Sequence, residues 1–200
     1  MTDWPEFLKR LSHEVLADES VRSMIPAEMI KAGWLGYPPA TETELVKLEK
    51  RLKTELPPSY REFLLISNGW KFPGTFIHDL LSADKVDWFR KLHGDWIEAW
   101  LEGEEMGGGR VTVTHEQHCV YGPEQDCCNF RTEYWKKTLT ISDIGDSAIY
   151  LLNPKVVDGN GEWESWFFAN WKPGATRYRS FWELMQAELE ALIRLRNTNP

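Results

Sequence analysis

Residues 41–70, TETELVKLEKRLKTELPPSYREFLLISNGW, decide the fold class. Thr41 stands where a helix N-cap belongs. Glu44 follows three residues later, where its carboxylate can reach back to the cap's backbone N–H. Leu45, Leu48 and Leu52 recur on one stripe of the cylinder, while Lys47, Glu49, Lys50 and Arg51 fall elsewhere. Pro57 and Pro58 stop this helix and open the next, because a first-turn residue has no helical use for its N–H. Tyr60, Phe63 and Leu64 give the second helix a short apolar face. Asn68-Gly69 supplies residues that tolerate the left-handed conformation ending many helices.

Outward from this segment, residues 3–18 predict a helix with Phe7, Leu8, Leu11, Val15 and Leu16 on its apolar face. Residues 19–40 are less regular and end in the loop Gly36-Tyr37-Pro38-Pro39. A single strand is expected within 71–83. Helices are expected over 84–102, broken near His93-Gly94. In the second of them Ile97, Trp100 and Leu101 face inward, with Asp95, Glu98 and Glu102 on the outer side. Met106-Gly107-Gly108-Gly109 reads as a loop. From Arg110 the pattern shifts: Val111 and Val113 alternate with Thr112 and Thr114, and a short strand is expected near Cys119–Tyr121. A helical turn is expected over 130–136. Residues 138–144 and 148–153 read as neighbouring strands joined through Gly145-Asp146. EWESWFFANW, at 162–171, is apolar on both faces, as a strand inside a sheet should be. A turn at 171–174 and a helix over 179–196 follow, the latter with Phe181, Leu184, Met185, Leu192 and Leu195 on its core side. Helices, then strands, then a closing helix imply an α+β fold. A mixed, mainly antiparallel sheet would pack against helices from both ends of the chain.

The run Glu42-x-x-Leu45-x-x-Leu48, followed by Leu-Pro-x-x-Tyr-x-x-Phe-Leu-x-x-x-Asn-Gly at 56–69, resembles the signature of the SMI1/KNR4 family, the SUKH superfamily. ISDIGDSAIYLLNP at 141–154 is similar to that family's strand-turn-strand element. GEWESWFFANWKPGATRYRSFWELM at 161–185 resembles the C-terminal part of a bacterial branch. The resemblance implies one SUKH domain over 41–196, with residues 1–40 as a helical extension of the same domain. It also implies a recognition role. Bacterial members serve as immunity proteins that bind a toxin domain, often a nuclease, and fungal relatives hold signalling partners. It implies no catalytic residue.

Two hundred residues, 42% of them apolar, suit one ordinary soluble domain. The net charge of −8 argues against nucleic acid as a direct partner, since phosphate binding needs a basic face. That charge is uneven: residues 95–126 hold eight acids against Arg110 alone, so −7 of the −8 sits there. The N-terminal MTDWPEFLKR lacks a signal pattern, no apolar run approaches the ~20 residues of a membrane span, and three cysteines do not suit a secreted disulfide framework. A cytoplasmic protein is expected.

His115-Glu116-Gln117-His118-Cys119 with Cys127-Cys128 offers imidazoles and thiolates, the donors zinc favours. The spacing fits no zinc frame. The H-E-x-x-H motif needs its second histidine one residue later, and adjacent cysteines are not a C-x-x-C pair. No phosphate cradle, nucleophile elbow or deaminase motif is present, so no metal, cofactor or catalytic residue is expected. The candidate partner-binding residues are Trp70, Asp95, Trp96, Glu98, Trp100, Glu102, Glu104 and Glu105: tryptophans that could anchor an interface, beside carboxylates that would attract a basic toxin domain. Trp163, Trp166, Trp171 and Trp182 are expected in the core. The alternatives are a regulatory scaffold without a toxin partner and, further off, a metal-dependent enzyme.

Overall fold

The computed structural model describes residues 2–106 and 112–198, the side chains of Glu104, Glu105 and Met106 excepted. Helix α1 (Trp4–Leu16) is capped by Asp3, whose carboxylate accepts from the Glu6 N–H. Two short helices follow, α2 (Glu19–Arg22) and α3 (Ala27–Ala32), then α4 (Glu42–Leu52) and α5 (Pro58–Ile66). Thr41 and Glu44 form the expected capping box: the Thr41 N–H donates to Glu44 Oε2 at 2.7 Å, and the Glu44 N–H donates to Thr41 Oγ1 at 3.3 Å. A hairpin of β1 (Trp70–Lys71) and β2 (Asp79–Leu80) precedes β3 (Asp87–Trp88), α6 (Phe89–Leu92), α7 (Gly94–Met106) and α8 (His115–His118). Two 3₁₀ segments, Gly122–Glu124 and Thr132–Lys137, lead to β4 (Leu139–Thr140), β5 (Ala148–Val157), β6 (Trp163–Ala169), β7 (Ala175–Tyr178) and α9 (Phe181–Thr198).

Strands β3 to β7 form one antiparallel sheet in chain order, and every residue of β6 is buried. Alternation along β5 and β6 sends side chains to two cores. Tyr150, Leu152, Trp163 and Phe167 join Trp4, Leu8, Leu48, Tyr60, Phe63 and Phe181 on the face covered by α1, α4, α5 and α9. Ile149, Leu151, Trp166 and Phe168 meet Phe89, Ile97, Phe130 and Trp135 on the other. The segment between β3 and β4 therefore supplies a second layer over the sheet. Indole pairs stand nearly perpendicular within these cores: Trp4–Trp182, Trp34–Trp70 and Trp100–Trp135, with centroids 4.7, 4.9 and 5.0 Å apart.

The α+β fold and its terminal helices are those expected, while several local readings are corrected. Helix α4 ends before the prolines. Lys53 closes it in the left-handed conformation (φ 58°), its N–H bonded to the Glu49 carbonyl. After α5 it is Gly69 that takes a positive φ (108°), whereas Asn68 instead accepts the Ala83 N–H through its side chain. The strand expected in 71–83 is half of a two-strand hairpin. Thr112–Thr114 form no strand, and Thr114 caps α8; Val111 lies outside the described residues. Cys119–Tyr121 form no strand either. Strand β7 was not anticipated, because Thr176 and Arg177 break its apolar pattern. Leu195 is exposed near the end of α9, beyond the sheet's reach.

Candidate protein-binding surface

Helix α7 lies against the second core through Ile97, with Trp96 and Trp100 half-buried beside it. The Trp96 ring packs 5.3 Å from Phe168 and 5.9 Å from Phe89, and Trp100 sits 5.4 Å from Phe168. These contacts fix the helix's rotation, so Asp95, Glu98 and Glu102 point to solvent. None of the three forms an ion pair among the described residues. Glu104 and Glu105 fall in the last turn of α7, but their side chains lie outside the described residues. Trp70 is corrected. It is fully buried in the main core against Trp34, and has no face to offer a partner.

A depression of about 330 Å³ separates the start of α7 from the β4–β5 turn, lined by His93, Asp95, Trp96, Ala99, Ile144, Ser147 and Asn170. The turn is tight. Asp146 (φ 47°) and Ser147 (φ 60°) both adopt positive φ between the paired Gly145 and Ala148. The Trp171 indole N–H donates to the Asp146 carbonyl at 3.1 Å, and the Asn170 N–H to the Ser147 carbonyl at 3.0 Å. Two large apolar side chains stand out here: Ile144 is 45% and Trp171 52% exposed. Trp171, expected in the core, is on the surface because it belongs to a turn; its ring rests on Phe76 and Phe167. Burial draws the His93 pKa down, with Asp95 pulling the other way. Ile144 and Trp96 in one depression with the unpaired Asp95 carboxylate form the kind of surface on which aromatic anchors and charge steering act together. Ile144 and Trp171 escaped sequence reasoning. The Trp-Lys-Pro-Gly turn at 171–174 was the signal available for Trp171.

The chain leading away from α7 is pinned by a buried polar network. Glu164, on β6, is 1% exposed. Its carboxylate accepts from His118 Nε2 at 3.0 Å, Tyr121 OH at 2.9 Å, Asn153 Nδ2 at 2.8 Å and Trp166 Nε1 at 2.6 Å. Burial pushes its pKa up, but these bonds, His118 foremost, more than reverse that and hold it below the usual carboxylate value. His118 Nδ1 accepts the Arg131 N–H at 3.1 Å, which leaves the ring proton on Nε2, facing Glu164. The buried Arg177 guanidinium donates to the carbonyls of His118, Ala175 and Asp126.

The five candidate metal donors are not brought together. Both ring nitrogens of His118 are engaged by protein groups. His115 is exposed, with its ring near the Cys119 thiol and the Tyr134 hydroxyl. Among the described residues, the donor atoms of Asp126, Cys127 and Cys128 lie within 4.8 Å of one another, and that group includes neither histidine.

The SMI1/KNR4 family (SUKH-1) matches residues 39–187. The chain belongs to this family. The SUKH match opens two residues before the Thr41 cap and closes within α9, so it spans the five-stranded sheet and the α7 surface. Helix α1 precedes it but shares the main core through Trp4, Leu8, Leu11 and Val15. No curated protein matches the chain. Membership of the SUKH family is consistent with a protein-binding role. No helix among the described residues is long and apolar enough to cross a membrane.

Proposed function

We propose that this SUKH domain is a non-catalytic, cytoplasmic immunity protein that neutralises a bacterial toxin by direct docking, with a basic domain such as a nuclease as the partner. The observation that carries this reading is the outer face of α7. Asp95, Glu98 and Glu102 are exposed and unpaired among the described residues, and Asp95 shares a depression with the apolar Ile144, on the turn whose Asp146 carbonyl the exposed Trp171 holds. A nuclease must be basic to hold phosphate, so uncompensated carboxylates would steer it, while the neighbouring apolar groups would supply affinity once water is expelled.

Affinity capture from the native host, with mass spectrometry, tests this for the wild-type chain and for Glu98→Lys/Glu102→Lys. The expected result is a basic toxin domain retained by the wild type and lost from the variant, with retention falling as salt is raised. Wild-type capture of signalling or envelope proteins alone would overturn the toxin reading. Undiminished capture by the variant would overturn the choice of face.

A further inference from the structure

Away from α7 the surface changes sign. Lys53 at the C-cap of α4, Arg90 on α6, Lys136 and Lys137 at the end of a 3₁₀ segment and Lys155 on β5 line one concavity of about 280 Å³, with Trp88 as an apolar wall. Only the fold brings these residues together, since they span more than half of the chain. No carboxylate lines the concavity, and none of the five cations forms an ion pair among the described residues. The contrast with Lys91 is direct: one residue beyond Arg90, it is neutralised by Asp87 at 2.5 Å. Lys137 faces Lys155 and then Arg90 closely enough that both hold its ammonium pKa below the ordinary lysine value. A chain of net charge −8 therefore keeps a hollow of uncompensated positive charge.

We propose that this concavity binds a compact polyphosphate anion, a ligand carrying two or more adjacent phosphates. This goes beyond the toxin-binding reading and does not depend on it. Lysine ammoniums act as point charges for phosphate, and the Arg90 guanidinium offers a planar fork for two oxygens. A single carboxylate would neutralise one of the five cations, whereas a di- or triphosphate matches several within the available volume. An extended nucleic acid strand is disfavoured by the acidic remainder of the molecule. The source is an inorganic polyphosphate or a nucleotide, and Trp88 is the group that would tell them apart, by lying against a base.

The test is thermal-shift and calorimetric titration of the full chain at fixed ionic strength. The probes are pyrophosphate, a nucleoside diphosphate, inorganic phosphate, chloride, a single-stranded oligonucleotide and an oligoglutamate peptide. Both diphosphates are expected to raise Tm well above chloride, with phosphate much weaker. The Lys137→Gln/Lys155→Gln variant should bind pyrophosphate about tenfold more weakly or worse. Its ligand-free Tm should equal or exceed that of the wild type, because a repulsion has been removed, which separates lost binding from lost folding. Tighter binding of the nucleoside diphosphate than of pyrophosphate would support a nucleotide source, and equal binding an inorganic one. The proposal is overturned if the diphosphates act no more strongly than chloride or if the double variant binds as the wild type does. It also fails if a single-stranded oligonucleotide or an oligoglutamate peptide binds more tightly than pyrophosphate.

Discussion

Glu188 projects from α9 into the main core, where its carboxyl and the Tyr150 hydroxyl both crowd against Gly74. Burial pushes its pKa up to about 7, against the opposing pulls of the Tyr150 hydroxyl and the Thr75 amide. The native state therefore holds this proton more tightly than the unfolded chain does. The resulting stability is fully present below the ordinary value of 4.5 and is lost as pH rises through about 7. Glu188→Gln keeps the shape without the titration. Between pH 5 and pH 8, urea unfolding of the wild type should lose about 2–3 kcal/mol more than the variant does. Glu164 behaves oppositely, since folding favours its charged form. Glu164→Ala would strand three buried donors and the part-buried Tyr121 hydroxyl, and remove a carboxylate that favours the charge of the buried Arg177. We expect a loss of about 3–5 kcal/mol, measured by the same unfolding.

Helix α4 shows what local sequence encodes. Its capping box depends on residues three apart, so Thr41 and Glu44 were legible without any tertiary knowledge. Thr41→Ala should cost about 1 kcal/mol in chemical denaturation. Its other end was not legible. Proline is a strong breaker, but Lys53 turns the chain four residues earlier in a conformation glycine adopts more readily. Lys53→Gly should raise stability by about 0.5–1 kcal/mol while weakening pyrophosphate binding, an opposition that calorimetry with thermal melts would expose. Elsewhere, burial was misread wherever it depends on distant partners. Trp70 looked available because it follows the Asn68-Gly69 stop and so reads as a loop residue, and Trp34 is what covers it. Strand β7 was missed because Arg177 reads as a surface residue until three carbonyls receive its guanidinium. The outward placement of Asp95, Glu98 and Glu102 on α7 was legible from helical periodicity alone. Ile144 and Trp171 were not, because what leaves them exposed is a turn whose position follows from strand pairing.

At the scale of the molecule, the sheet is covered on both faces, and the second cover is the segment between β3 and β4 that carries α7. The acidic face thus rests on a rigid base, which favours docking without rearrangement. With the partner in hand, Trp171→Ala should leave association nearly unchanged and weaken affinity by about tenfold or more through a faster off-rate, whereas Glu98→Lys/Glu102→Lys should chiefly slow association. Surface plasmon resonance at two salt concentrations separates these effects. The perpendicular tryptophan pairs have a further consequence, an optical one. Indoles held this close couple their ultraviolet transitions, so the folded chain should carry a circular-dichroism feature that neither helix nor strand produces. Its decay would report the parting of the rings even while backbone hydrogen bonds persist.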